Sequence, residues 1–227
     1  MKIGGFEKST LIDYPDKIAC IIYTVGCNFR CPYCHNPELV DETAPEVTLD
    51  SIMRFLRKRT DLLDGIVITG GEPTMHDDLP KVCYRIKKMK YLVKLDTNGT
   101  RPAMIKNLID KKLVDYIAMD IKSPIDKYSD IVSRPVFGEA IRQSIKIIMS
   151  SGIDYEFRTT VVKSLLTPKD MENIVKEIKG AKRYYLQKFN DKRILNPQFK
   201  NKVTYTDDEF KKFKEKFKKY VKECEIR

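Results

Sequence analysis

The stretch Ile18-Ala19-Cys20-Ile21-Ile22-Tyr23-Thr24-Val25-Gly26-Cys27-Asn28-Phe29-Arg30-Cys31-Pro32-Tyr33-Cys34 runs an apolar, β-branched segment straight into a loop that holds three cysteines. The apolar segment reads as a strand, so the thiols stand at its C-terminal end. Thiolates bind iron-sulfur clusters, and a closed electron-transfer cubane normally takes four of them. With only Cys27, Cys31 and Cys34 in the loop, one iron would be left open. Cys20, Cys83 and Cys224 share no spacing and read as small buried hydrophobes. The alternative is a structural zinc site of Cys3His type, because His35 follows Cys34 at once. Zinc loops usually supply their ligands as two separated pairs. Pro32 and Tyr33 also stiffen the loop and add an aromatic ring, which a zinc knuckle does not need.

Outward from this loop, apolar runs alternate with amphipathic ones. Met1 to Lys17 reads as a hairpin or extended arm. Strands are predicted at Ile18 to Val25, Gly65 to Thr69, Tyr91 to Asp96, Val114 to Ile121, Tyr155 to Val162 and Tyr184 to Phe189. Helices are predicted near Leu49 to Arg59, Leu79 to Met89, Ala103 to Lys111, Gly138 to Ser150, Lys169 to Lys179 and Asp207 to Glu223. Alternating β and α elements imply a parallel sheet with right-handed crossovers. Six such units give an α/β fold of the partial (β/α)6, TIM-like barrel kind with an N-terminal arm. The expected layout is one domain over 1–227: arm 1–17, partial barrel 18–205, and an amphipathic helix 206–227 whose apolar stripe, Phe210, Phe213, Phe217, Tyr220, Val221 and Cys224, packs on the core. The unusual residues gather at predicted strand ends: the cysteine loop, Gly70-Gly71-Glu72-Pro73, Asp96-Thr97-Asn98-Gly99 and Asp120-Ile121-Lys122-Ser123. In βα-barrels that face carries the chemistry. Arg158 lies inside the fifth strand, and a buried strand charge needs a partner; otherwise it points to solvent at an edge.

Composition narrows the classes. The 227 residues carry 42% hydrophobic side chains and no apolar run of membrane length, which leaves a globular chain with a sizeable core and no membrane span. The N-terminus lacks the apolar region of a signal peptide, so a cytoplasmic location is expected, and six cysteines there argue for reduced thiols. The formal charge of +11 is spread along the chain and densest in Lys211 to Lys222. It fits a solvated lysine-rich surface, or a surface for nucleic acid, nucleotides or an acidic partner. His35 and His76 are the only histidines, so histidine acid-base chemistry is poorly supplied. His35 is expected to shape the cysteine loop and His76 to be a solvated loop residue.

The C-x-x-x-C-x-x-C loop with Tyr33 before its last cysteine resembles the signature of the radical S-adenosylmethionine (SAM) enzymes. Continued as Cys34-His35-Asn36-Pro37-Glu38-Leu39, it is similar to the glycyl-radical-enzyme activating enzymes, in particular those of anaerobic ribonucleotide reductase and of pyruvate formate-lyase. The resemblance runs from Gly4-Gly5-Phe6 through Gln187. It implies a 4Fe-4S cluster on Cys27, Cys31 and Cys34, with SAM chelating the open iron and one electron splitting its sulfonium to a 5'-deoxyadenosyl radical. It further implies SAM contacts from Tyr33, from the Gly70, Gly71, Glu72 and Pro73 motif with Glu72 toward the ammonium group, from Asp96 and Asn98, from Asp120 and Lys122, and from Arg158, with a looser contact from Gln187. A monovalent cation between the aspartates is part of the same implication; a plain Asx turn is the alternative for Asp96 to Gly99. The implied partners are a glycyl radical enzyme, whose glycine loop is the substrate, and reduced flavodoxin or ferredoxin as electron donor. No second cysteine cluster follows Cys34, unlike in larger activating enzymes.

Two other functions remain open on the sequence. One is a radical SAM enzyme acting on a small molecule or RNA, although Leu11-Ile12-Asp13-Tyr14-Pro15-Asp16-Lys17 stands where the enzymes making deazapurine precursors carry Gln-Gly-Glu-Gly. The other is a non-catalytic iron-sulfur or zinc protein.

Overall fold

The computed structural model describes residues 1–227. The N-terminal arm is a strand, β1 (Ile3–Thr10), antiparallel to β2 (Ala19–Thr24) with Phe6 opposite Ile22. Helices α1 (Pro37–Val40) and α2 (Leu49–Arg57) lead to β3 (Gly65–Gly70), which runs parallel to β2 with Ile21 beside Val67. Helix α3 (Leu79–Lys87) returns the chain to β4 (Leu92–Thr97), parallel to β3. Helix α4 (Pro102–Asp110) precedes β5 (Tyr116–Asp120). Then follow α5 (Tyr128–Val132), α6 (Gly138–Ser150), β6 (Asp154–Val161), α7 (Pro168–Glu177), β7 (Arg183–Lys188), α8 (Asp207–Phe217) and β8 (Glu223–Ile226). Strands β6, β7 and β8 are parallel, with Thr159 beside Leu186 and Tyr184 beside Cys224. Sheet order follows chain order from β1 to β8. This is an α/β fold on a mostly parallel sheet, the class expected from the alternation.

The residues fall into two compact units. The first is Met1–Asn28, Glu38–Thr97 and Ala103–Ile117; the second is Phe29–Pro37, Asn98–Pro102 and Ala118–Arg227. In the first, the continuous apolar runs become strands buried on both faces, as parallel sheets require: Ile21, Ile22, Ile66, Val67, Ile68, Val93 and Leu95 are inaccessible, and so are Ile52, Met53 and Leu56 of α2 and Val82, Cys83 and Ile86 of α3. Each such side chain contributes roughly 1.5–3 kcal/mol by leaving water. In the second, Phe157, Val161, Tyr184 and Leu186 from the strands bury with Ile174, Val175, Phe210 and Phe217 from the helices.

Helix starts are set by local chemistry. Thr167 with Asp170 and Thr206 with Glu209 form capping boxes at α7 and α8, in which each side chain satisfies an amide the helix cannot. The acidic first turn and lysine-rich last turn of α8 also suit its dipole.

The final helix is shorter than its periodicity predicts. It ends at Phe217, and the chain turns into β8. Gly180 N donates to Tyr220 O at 2.7 Å, Lys222 N to Ala181 O at 2.9 Å and Glu223 N to Lys182 O at 3.1 Å. Backbone pairing with the entry to β7 thus takes the segment that three- and four-residue spacing had assigned to the helix, and Cys224 is buried from a strand.

Candidate functional site

In the first unit the end of β2 and the Gly-Gly-Glu-Pro turn are laced together by backbone. Gly71 N donates to Thr24 O at 2.8 Å, and Glu72 N donates to Gly26 O at 2.8 Å. A Cβ on Gly71 would stand 1.9 Å from Gly26 O, and one on Gly70, at φ +113°, 2.5 Å from Thr24 N. Both glycines are therefore demanded by the chain's own peptide at Thr24 to Gly26. Cys27 follows that peptide directly and is half-buried.

Glu72 is 1% exposed. Its Oε1 accepts from Thr74 N at 3.0 Å, from Thr97 Oγ1 at 2.7 Å and from the Thr74 hydroxyl. The carboxylate thereby caps the one-turn 3₁₀ helix Pro73–Met75 and ties it to the end of β4. Lys94, two residues before Asp96 and so on the same face of β4, is only 2% exposed; it pairs with Asp96 and stands 5.8 Å from the Tyr116 ring centre. This pair was not singled out from sequence. The signal was there: a lysine at a strand position two before an aspartate, inside an apolar run. His76 departs from expectation. Its Nε2 lies 3.0 Å from Val25 O, and burial, followed by the N-terminal charge, lowers its pKa, so the neutral imidazole pins the peptide that enters the cysteine loop.

In the second unit Cys31 and Cys34 are joined by the turn bond Cys34 N to Cys31 O, 3.0 Å. Asn36 N points at Cys34 Sγ, 3.5 Å away, a donor suited to a thiolate. Burial pushes the Cys31 thiol up to about 11, against the opposing charge of Lys122. Tyr33 is buried, and its hydroxyl has no hydrogen-bond partner. The loop is held by a segment that sequence reasoning passed over: Leu195 N donates to Cys34 O at 2.9 Å, Asn196 N to Pro32 O at 3.0 Å, and His35 Nδ1 meets Arg193 O at 3.0 Å. His35 does shape the loop. The only sequence cue to this strap was the turn-forming Asn196-Pro197 pair.

A charge from inside β6 meets those at the end of β5. Asp120 accepts from Arg158 Nε at 2.9 Å on Oδ1 and from Lys122 Nζ at 2.9 Å on Oδ2. Burial alone would raise the Asp120 carboxyl; Arg158 and Lys122 outweigh it and hold it well below the usual carboxylate range. Burial would likewise lower Lys122, but Asp120, then Tyr33 and Cys31, raise it well above its ordinary value. Arg158 therefore faces inward with a partner, as a charge inside a strand must. Ile121 N to Arg158 O, 2.8 Å, and Thr159 Oγ1 to Ile121 O, 2.8 Å, fix β6 beside this end of β5. Asn98 is buried, and its Oδ1 accepts from Thr100 N at 3.1 Å and Thr100 Oγ1 at 2.7 Å, so the Asx turn that was the plainer alternative does form. Asp96 pairs with Lys94 and Asp120 with Lys122, 2.9 Å in the second case. Gln187 lies in β7, its Oε1 3.5 Å from Thr160 Oγ1.

The donor chemistry fits an iron-sulfur cluster with SAM. Cys27, Cys31 and Cys34 are free thiols, soft ligands of the kind such clusters take. Beside Cys31 stand the half-buried Lys122 and the Tyr33 hydroxyl, which has no hydrogen-bond partner; leaving a buried hydroxyl unpaired costs about 1–3 kcal/mol, so a bound acceptor there would be favoured. Cys27 belongs to the first unit and the other two to the second, and no ready-made group of three His, Cys, Asp or Glu side chains is present to hold a metal ion. Cys20, Cys83 and Cys224 are buried, each thiol pushed up to about 12 by burial, as small hydrophobes should be. No helix is long and apolar enough to cross a membrane.

Comparison with known proteins agrees with this chemistry. The sequence profile of the Radical SAM superfamily, whose enzymes use a 4Fe-4S cluster and SAM, matches residues 21–178. A protein of Methanocaldococcus jannaschii named "Putative glycyl-radical enzyme activating enzyme MJ1227" is 37% identical over 232 residues, covering 99% of this chain and 95% of its own. The "Pyruvate formate-lyase-activating enzyme" of Clostridium pasteurianum is 26% identical over 98% of this chain and 97% of its own. Among solved structures, SuiB of Streptococcus suis shares the fold with a TM-score of 0.68 at 14% identity; the match covers 91% of this chain and 48%, about half, of SuiB. On the profile and the near full-length relatives, the chain belongs to the radical SAM superfamily and, within it, to the glycyl-radical-enzyme activating enzymes.

Proposed function

We propose that this radical SAM oxidoreductase installs a glycyl radical in anaerobic ribonucleotide reductase, working as a single radical SAM domain in the cytoplasm with reduced flavodoxin or ferredoxin as its electron source. The observation that carries the reading is the near full-length match to an activating enzyme on a chain with no second cysteine cluster after Cys34. When bound, the cluster and SAM supply one-electron cleavage of the sulfonium and a radical able to take hydrogen from glycine.

The chain's own residues supply binding and orientation. Cys27, Cys31 and Cys34 are the proposed cluster ligands, with the Asn36 amide favouring the Cys34 thiolate and the strap at Arg193 to Asn196 restraining the loop. Glu72, aimed by Thr74 and Thr97, is the proposed acceptor for the SAM ammonium group, on a turn that Gly70, Gly71 and Pro73 shape. Lys122 and Arg158, both held on Asp120, offer positive charge to the SAM carboxylate and ribose side. Tyr33, Asp96 and Asn98 complete the proposed contacts, Asp96 with its charge balanced by Lys94.

The test is anaerobic. The reconstituted, reduced protein is mixed with SAM and purified anaerobic ribonucleotide reductase, and the glycyl radical is read by electron paramagnetic resonance. Radical formation that disappears with Cys31→Ala supports the proposal. A radical in a formate-lyase-type enzyme alone would reassign the partner. SAM consumption to 5'-deoxyadenosine with no radical in either enzyme would favour a small-molecule or RNA substrate.

A further inference from the structure

A second buried charge stands on β6 two residues before Arg158, on the same face of the strand. Glu156 is 0% exposed. Its carboxylate accepts a fork from Arg227, Nη1 to Oε1 at 2.9 Å and Nη2 to Oε2 at 3.2 Å. Arg227 has little freedom. Its guanidinium carbon lies 3.5 Å from the centre of the Tyr185 ring, and its backbone is tied by Arg227 N to Leu186 O at 2.9 Å and Lys188 N to Arg227 O at 2.8 Å. A bidentate fork and a ring beneath it fix a guanidinium better than either alone.

Arg158 is the neighbour on the other side. Its Nη1 stands 3.9 Å from Glu156 Oε1 while its Nε donates to Asp120 Oδ1 at 2.9 Å. From Arg227 through Glu156, Arg158 and Asp120 to Lys122 the signs alternate, and all five residues lie in the second unit. A carboxylate at each side of the guanidinium leaves it one orientation. The fixed point of the chain is Arg227, through its strand and its ring.

We propose that Glu156 is a positioning residue for SAM binding: anchored by Arg227, it holds the Arg158 guanidinium against Asp120 in the orientation that meets the ligand. This rests on the reading of Arg158 as a SAM contact. A Glu156 that served stability alone would change unfolding and leave the affinity of the folded protein untouched, which separates the two roles.

The test is a mutant cycle read by binding. SAM is titrated calorimetrically into the anaerobically reconstituted full chain, as wild type, Glu156→Gln, Arg158→Ala and the double variant, each checked for folding by circular dichroism. Glu156→Gln is expected to weaken SAM by about tenfold, the scale of coupling between contacting charges, and to add nothing in the Arg158→Ala background. Unchanged affinity in Glu156→Gln beside a weakened Arg158→Ala overturns the positioning role. Equal weakening by Glu156→Gln with and without Arg158 also overturns it, since Glu156 would then act by another route. If Arg158→Ala itself binds normally, the reading of Arg158 fails first. Should Glu156→Gln not fold, Arg227→Met carries the same cycle, with a weakening of about threefold expected and absence of any change counting against the proposal.

Discussion

Glu72 and Asp120 are both carboxylates at strand ends, yet the molecule handles them in opposite ways. Glu72 accepts from an amide and two hydroxyls, neutral donors that stabilise a negative charge without cancelling it. Asp120 sits between a guanidinium and an ammonium, so its surroundings carry an excess of positive charge. The first environment suits a cationic group and the second an anionic one. The contrast also shows where rigidity comes from. Around Glu72 it is backbone on backbone, enforced by glycine; around Asp120 it is charge on charge.

The comparison can be tested at four levels. The largest effect is expected from Gly71→Ala, whose new methyl would collide with Gly26 O: a loss of about 3 kcal/mol in urea unfolding, at the upper end for overpacking. A loss below about 1 kcal/mol would show that the turn relaxes easily and that its rigidity was misjudged. Asp120→Asn comes next, at about 2 kcal/mol, since it removes the carboxylate charge shared by Lys122 and Arg158 at a site still partly open to water. Thr97→Val keeps the shape and removes one donor from a buried carboxylate, with an expected cost of about 1–2 kcal/mol. If it cost more than Asp120→Asn, the division into neutral and charged support would be wrong.

The smallest effect is in pH. The folded Asp120 pKa is depressed below its ordinary 3.8, so its stabilising contribution is fully present above about pH 4 and is lost as pH falls through the folded value. Unfolding curves of wild type and Asp120→Asn, taken between pH 6 and pH 3, should therefore converge toward the acid end. Parallel curves throughout would mean that the cations do not hold the carboxyl down.

Much of this arrangement was legible beforehand, for physical reasons that particular residues make plain. Ile18 to Val25 and Gly65 to Thr69 are apolar without alternation, and only a strand covered on both faces uses such a run; they became β2 and β3 within a residue or two. Arg158 was noticed because a charge in such a strand demands a partner, and it has Asp120. Lys94 was passed over although its spacing from Asp96 was visible; the Tyr116 ring beside it is the part that spacing along one chain does not express. His76 was misread for the same reason, since Val25 is 51 residues away. The tail from Tyr220 to Cys224 carried helical spacing by coincidence, and pairing beside β7 overrode it.

The sequence by itself determined the α/β class, the strand ends on which the unusual residues stand, and the cysteine spacing that identifies the chemistry, because each is written in contiguous residues and their periodicity. Only the tertiary structure decided which partner each charge has, that Gly71 answers to Gly26, that a strap from Arg193 to Asn196 holds the cysteine loop, and that Arg227 anchors Glu156 beside Arg158. Most of those pairings join residues far apart in the chain, as Gly26 with Gly71 and Glu156 with Arg227, and hydrogen bonds and ion pairs are fixed by distance in space, which the order of residues does not contain.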